Sequence, residues 1–418
     1  MASHESSLSI DREVQYFFIA SCEEYLEITL RRHEPLSKFA NNHQQDETMK
    51  RIERRFVVFD WLESFKEMKK QTSPSELLSC EGLYEYLMNK ITSDTKKESD
   101  DFSALDSRKM TINIVIRTTW NYVDYYDEFM EWLRTLEQLQ KECQGLDHRV
   151  MIRVFNDPSL MIWNSSKRYL FEIQDEWNEC EIVPSQIVDF DTVKHLNDDE
   201  LVRKYCFMFK SCDKLVFKPL ISAGSFNTFV IGNSRESTDE GSCQSIEYLT
   251  NRAEKLKIIR QDLSESNQCK YKDRKLYIVQ PFLDCIVNDG EYSFIYVNEK
   301  LSHMLQKRPK DGDFRVQGEF GGSNTYADLS RFNETIIANG QRLFEKIKKE
   351  KSPNHLILYC RLDVVIDWQT NNIRICELEL LEPHLYFETI DPNDPAVAID
   401  KENELYDAIV NQNTTFNH

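Results

Sequence analysis

Three acidic residues toward the C-terminal end could hold a divalent cation. Asp363 sits in LDVV, and Glu377 and Glu379 sit in ICELEL. Residues two apart on a strand point to the same face, so the two glutamates leave a sheet together. Asp363 lies on the neighbouring strand of a candidate hairpin, within reach of both. Three carboxylates flanked by Val, Ile and Leu repel one another unless a cation neutralises them. Mg²⁺, which takes oxygen ligands from a few carboxylates and from nucleotide phosphates, suits that set. The same alternation also describes an exposed, solvated sheet face, and spacing alone leaves both readings open.

Cationic candidates come earlier in the chain. Lys218, in LVFKPLISAGSFNTF, ends a β-rich run and precedes a small-residue loop. Gly224 and Ser225 let backbone N–H groups approach a phosphate there, while the lysine supplies a point charge. Lys167, in IWNSSKRYL, opens a helix and is a second candidate phosphate ligand. Neither a Walker A loop nor a Rossmann GxGxxG fingerprint occurs. The segment QKRPKDGDFRVQGEFGG (306–322) packs Lys307, Arg308, Lys310 and Arg315 into an otherwise acidic chain and ends on Gly321 and Gly322. Cations on a flexible loop suit an anionic reacting centre that must be covered during turnover. Each of these also reads as ordinary solvated surface charge.

The elements that must position these residues fall into two halves. In the first, VQYFFIA (14–20) and 55–60 read as short buried strands, 75–92 as helix, and the polar run 93–109 as a mobile connection. TINIVIR (111–117) is a strand; a helix capped by Asp124 follows, with Phe129, Leu133 and Leu136 on one stripe; RVMIRVF (149–155) is the next strand. Strand, helix, strand in short succession predicts a parallel α/β layer. In the second half the strands become antiparallel in character: 214–220, 227–232, 275–283, 291–297 and 300–309, the last two joined by the turn NEKL (298–301). A helix over about 329–348 carries Phe332, Ile336, Leu343 and Ile347, and two strands, 356–367 and 373–380, close the set around WQTNN. The expected domains are 1–160, α/β with an insertion at about 62–109; 161–285, a lid subdomain; 286–400, a metal and substrate subdomain; and 401–418, a tail.

Bulk properties narrow the function. The 418 residues carry a formal net charge of −19, which argues against nucleic-acid and membrane-surface partners. Eleven cysteines lie scattered without a CxxC pair or zinc spacing, as expected of reduced thiols in a cytoplasmic enzyme. There is no signal-like N-terminus and no apolar run of membrane-spanning length.

The order of the candidates is more specific than any one of them. RTTWNY (117–122), NDPSLMIWNSSKRYL (156–170), KPLISAGSFNTF (218–229), GEYSFIY (290–296), HMLQKRPKDGDFRVQGEFGG (303–322) and ELELLEPHLYF (377–387) resemble the glutathione-synthetase-like branch of the ATP-grasp superfamily. Within that branch they are similar to the ligases of cycloserine biosynthesis, over about residues 110–390. The resemblance implies an α/β pre-ATP-grasp domain followed by an α+β ATP-grasp fold whose two antiparallel sheets sandwich the nucleotide. It implies ATP and two Mg²⁺ ions as cofactors. Lys167, Lys218 and Ser225 would contact nucleotide phosphates, Gln280, Pro281, Phe282 and Leu283 adenine, and Glu291 ribose. Asp363, Glu377 and Glu379 would be metal ligands, although many relatives have Asn where this chain has Glu379.

The chemistry implied is activation of a small-molecule carboxylate as an acyl phosphate and its capture by an amine, with Arg315 and Lys307 stabilising the transferring phosphoryl group. Arg308, Gln317, Gly321 and Gly322 would frame the carboxylate. Arg117, Trp120 and Asn121 would contact the amino-acid end, and Glu382 and His384 would reach the same pocket. Amino-acid addition to a protein and a catalytically silent ATP-binding scaffold are the alternatives, and a homodimer is compatible with all three.

Overall fold

The computed structural model describes residues 14–27, 29, 53–71, 80–97, 109–177, 181–210, 212–232 and 252–415. The expected connection at 93–109 lies largely outside them, and its first residues prolong a helix to Lys97. The chain forms two compact units, one of residues 1–121, 128–159 and 409–418, the other of 122–127 and 160–408.

The first unit is built on a parallel sheet, as the strand–helix–strand pattern predicts. Its strands β1 (Val14–Ser21), β2 (Glu53–Asp60), β3 (Met110–Thr118) and β4 (Val150–Phe155) run in the order β2-β1-β3-β4. All nine residues of β3 are buried, the continuous apolar run of a strand covered on both faces. Helices α1 (Trp61–Gln71), α2 (Cys80–Lys97) and α3 (Tyr126–Leu146) accompany the sheet. Trp61 packs edge-on to Phe129 at 4.8 Å, and Leu133 and Leu136 are fully buried on the predicted stripe. The α3 helix starts at Tyr126, beyond the capping position assigned to Asp124.

The second unit holds two antiparallel sheets, as expected. The smaller has β5 (Gln186–Val188), β6 (Lys214–Pro219), β7 (Phe229–Gly232) and β8 (Tyr277–Pro281) in the order β5-β8-β6-β7. The larger has β9 (Glu291–Val297), β10 (Lys300–Arg308), β11 (Ser323–Tyr326), β12 (Tyr359–Asp367) and β13 (Asn372–Glu379) in the order β11-β10-β9-β12-β13. Asn298 and Glu299 both take positive φ in the β9–β10 hairpin, the conformation a two-residue turn needs to match strand twist. The longer helices that follow are α4 (Pro158–Asn164), α5 (Arg168–Glu176), α6 (Asp198–Met208), α7 (Arg252–Glu265), α8 (Glu334–Lys351) and α9 (Pro395–Thr415). The expected tail from 401 is thus the body of α9, with Leu405 and Tyr406 buried.

One apolar core joins the two sheets and helices α5 to α8, among them Ile173, Leu201, Phe217, Leu263, Phe294 and Leu343. The α8 helix buries Ile336, Leu343, Phe344 and Ile347 against the large sheet, whereas Phe332 lies before its first turn. Tyr296 of β9 stacks on Phe344 at 4.3 Å. A side chain at Gly340 would place its Cβ 2.5 Å from the Phe294 ring, so the helix can sit this close only with glycine there.

Two predictions concern this core. Gly340→Ala gains about 1 kcal/mol of helix propensity but overpacks the Phe294 contact by roughly 1–3 kcal/mol. Denaturant titration should therefore show net destabilisation, relieved when Phe294→Leu is added. The second concerns His303, which is buried, with Nε2 2.9 Å from the Leu385 carbonyl oxygen. Burial pushes its pKa down to about 4, against the Leu385 hydrogen bond and with help from Lys401. Below the ordinary value the unfolded chain binds the proton and the folded chain does not, so stability falls from pH 6.5 toward 4. The loss amounts to about 3 kcal/mol. His303→Gln should flatten that part of the pH–stability curve.

Candidate functional site

The site is written on one face of the large sheet. Asp363 lies directly opposite Glu377 on β13 and Ser293 on β9, while Lys307 of β10 lies opposite Glu291 on β9 and Asn324 on β11. A bulge in the β12–β13 ladder decides which side chains face which way. Asp363 pairs with Glu377 but Val364 pairs with Ile375, leaving Cys376 as the extra residue. Ile373 and Ile375 before it, and Leu378 and Leu380 after it, all reach the core. Without the extra residue, strict alternation would send one of these pairs to the opposite face. The bulge lets β13 keep its apolar residues inside while Glu377 and Glu379 share a face with Asp363.

The β13 edge is tied down by one backbone bridge, in which the Val183 N–H donates to the Ile375 carbonyl at 3.0 Å, and otherwise by side chains. Asn164, at the end of α4, donates to the Leu378 carbonyl at 2.9 Å and accepts from the Leu380 N–H at 2.7 Å. The Tyr169 hydroxyl accepts from the Leu378 N–H at 2.7 Å. These bonds satisfy buried backbone groups that an edge strand leaves open, and they fix the glutamates between them.

One oxygen from each of Asp363, Glu377 and Glu379 lies within 4.8 Å of the others, the only such acidic, Cys or His trio among the described residues. Their negative charge is met by three cations. Lys307, itself buried, donates to Asp363 Oδ2 at 3.0 Å and to Glu291 Oε1 at 3.5 Å. Arg361 grips both Asp363 oxygens at 3.1 and 3.2 Å through Nε and also bonds Glu379. Lys167 reaches Glu377 at 3.1 Å and the Ser222 carbonyl at 2.8 Å. The Tyr386 ring covers the pair, 5.7 Å from both Lys307 Nζ and the Arg361 guanidinium.

The protonation states follow. Burial would raise the Asp363 carboxyl, but Arg361 and Lys307 outweigh it and hold it well below the usual range. Burial likewise opposes ionisation of Glu377, and Lys167 and Lys218 overcome it. At Glu379 burial, with Glu377 and Asp363, prevails over Arg361, and the carboxyl is raised. Burial and Asp363 push Glu291 up to about 7 despite Lys307 and Lys218.

Other expected residues occupy varied positions. Lys218 is the last residue but one of β6, and the loop after the strand bends through positive φ at Gly224, Ser225 and Asn227. The buried Gln280 amide bonds Ser185 Oγ at 2.8 Å, Pro281 ends β8, the Phe282 N–H bonds the Lys214 carbonyl, and Leu283 packs beside Val183, Val365 and Cys376. Arg308, one residue from Lys307 and so on the other face, donates to the Asn288 carbonyl at 3.2 Å. Arg315 folds back within its own loop, bonding Asp313 at 3.0 and 2.6 Å and covering the Phe320 ring at 3.9 Å. Gly321 takes φ +81°, and a Cβ on Gly322 would lie 2.3 Å from the Val316 carbonyl oxygen. The Glu382 side chain is buried, and the His384 carbonyl accepts from Arg361. Arg117, Trp120 and Asn121 belong to the first unit, where Asn121 accepts from Trp61 Nε1 at 2.8 Å.

The sequence reading missed Arg361, Ser293, Tyr386 and the Asn164–Tyr169 clasp. Arg361 had a signal, since it stands two residues before Asp363 and shares its strand face.

No family model and no curated protein sequence matches the chain. Among solved structures it is similar to a D-cycloserine synthetase, with 13% identity and a TM-score of 0.56 over 94% of this chain and 99% of that one. A D-alanine–D-alanine ligase from Bacillus anthracis aligns with 11% identity and a TM-score of 0.47, over 95% of this chain and 96% of that one. A D-alanyl-alanine synthetase A from Vibrio cholerae aligns with 10% identity and a TM-score of 0.46, over 96% and 99%. The likeness to the synthetase is one of fold, and that fold is ATP-grasp. Among the described residues no helix is long and apolar enough to cross a membrane.

Asn164→Ala leaves the Leu378 carbonyl and Leu380 N–H without the clasp, a loss of roughly 2–4 kcal/mol. Hydrogen exchange should quicken first at the Leu380 N–H, which loses its acceptor, ahead of the β9–β10 hairpin.

Proposed function

We propose that the protein is an ATP- and Mg²⁺-dependent ligase that activates a small-molecule carboxylate for attack by an amine. The observation that carries this reading is the carboxylate trio on an ATP-grasp sheet, ringed by Lys307, Arg361 and Lys167. The donor set fits Mg²⁺, since Asp363, Glu377 and Glu379 offer hard oxygens grouped closely enough for one or two ions. When bound, Mg²⁺ neutralises phosphate oxygens as a Lewis acid. Lys167, which pairs with Glu377 in this structure, would then be available to phosphoryl oxygens.

The chain's own residues account for the remaining requirements. Lys167, Lys218 and the Ser225 loop hold the nucleotide phosphates, residues 280–283 line the adenine side, and Glu291 takes the ribose. Lys307 and Arg361 keep two fixed positive charges beside the transferring phosphoryl group, in a buried setting where charge interactions are strengthened. In the reaction a substrate carboxylate oxygen bonds the γ-phosphorus as the bond to ADP breaks. The amine nitrogen then bonds the acyl carbon, phosphate leaves, and the nitrogen loses a proton. Arg315 joins this set by leaving Asp313, a movement its loop position allows.

Release of ADP and phosphate from Mg-ATP should be measured across a panel of amino acids and small carboxylates. Turnover with at least one pair is expected. Lys307→Met should lower kcat about 100-fold or more while the fold persists, because Arg361 still pairs with Asp363. ATP binding without ADP release under any condition would favour the silent-scaffold alternative, and unchanged turnover in Lys307→Met would contradict the assignment.

A further inference from the structure

We propose that Asn324 and Gln317 recognise the amine substrate by accepting its N–H bonds, an assignment that rests on the ligase reading above. Asn324, on the edge strand β11, stands directly opposite Lys307 in the ladder and therefore on the site face. On that face Glu377 stands opposite Asp363 and Asp363 opposite Ser293, while two residues along β9 Glu291 stands opposite Lys307 and Lys307 opposite Asn324. Its Oδ1 is buried and has no hydrogen-bond partner among the described residues. Gln317 Oε1 is in the same condition. The two belong to one patch: a Cβ on Gly318, the residue after Gln317, would lie 3.9 Å from Asn324 Nδ2. The loop is held there by backbone bonds from the Phe320 and Gly322 N–H groups to the Gln317 carbonyl, both 3.1 Å.

A buried acceptor without a donor is costly unless a ligand supplies the donor. The unpaired oxygens of Asn324, opposite Lys307, and of Gln317 are therefore matched to N–H donors of a ligand. A carboxylate offers only acceptors and leaves both oxygens unsatisfied. A neutral primary amine held through its two N–H bonds keeps its lone pair free, and that lone pair must reach the acyl carbon. The Gln317 side chain is thus assigned to the amine rather than, as the resemblance implies, to the carboxylate.

Isosteric acids separate the two roles, since Asn324→Asp keeps the acceptor and removes the donor. Free amino acids, their N-acetyl forms and the matching des-amino acids should be titrated calorimetrically into the full chain loaded with Mg²⁺ and a non-hydrolysable ATP analogue. The wild type is expected to bind the free amino acids more tightly than their N-acetyl and des-amino counterparts. Asn324→Asp and Gln317→Glu should retain that binding, and Asn324→Leu should weaken it about tenfold or more with nucleotide affinity unchanged. Loss of amine binding in Asn324→Asp, indifference to Asn324→Leu, or equal binding of the des-amino compounds would overturn the proposal while nucleotide binding leaves the ligase reading intact. Failure to bind nucleotide at all would overturn both.

Discussion

The site depends on keeping Asp363 ionised in a buried position. A carboxylate with 2% exposure is strongly disfavoured alone, and here Arg361 and Lys307 reverse the preference. Because those cations come from two different strands, the charge balance exists only when β10, β9 and β12 are in register. The same pairs that hold Asp363 ionised also fix two positive charges at the centre of the face. One set of ion pairs thus places carboxylates and cations side by side on a single face.

The apolar core enforces that register from the other face. Tyr292, Phe294 and Tyr296 alternate with Glu291, Ser293 and Ile295 along β9, so a slip by one residue would send aromatic rings into the charged site. The Gly340 contact lets α8 press closely on Phe294. The bulge at Cys376 and the Asn164 clasp complete the arrangement at the far edge. Function at this sheet is therefore a consequence of packing beneath it.

The legible parts were those governed by local periodicity. The i, i+2 spacing of Glu377 and Glu379 puts them on one face, and the hairpin around WQTNN brings Asp363 to them. The β9–β10 hairpin and the parallel first sheet follow from short-range patterns of the same kind. What was illegible depended on partners distant in sequence or on broken alternation. ICELEL reads as regular strand, and only pairing with β12 exposes the bulge. Asn164 and Tyr169 clasp β13 from more than 200 residues away. β11 is too short and too polar to stand out as a strand. The start of α6 was a signal overlooked rather than absent, since Asn197 and Glu200 form a capping box. Arg315 illustrates a different limit: its types and spacing fit an anion, but Asp313 two residues earlier competes for it locally.

The central claim is that the carboxylate trio binds nucleotide through a divalent cation. Its most direct test is calorimetric titration of a non-hydrolysable ATP analogue into the protein with and without Mg²⁺, repeated with Asp363→Asn. Strong Mg²⁺-dependence in the wild type, lost in the variant, is the predicted result. Equal affinity without Mg²⁺, or an unaltered Mg²⁺-dependence in Asp363→Asn, would contradict the account.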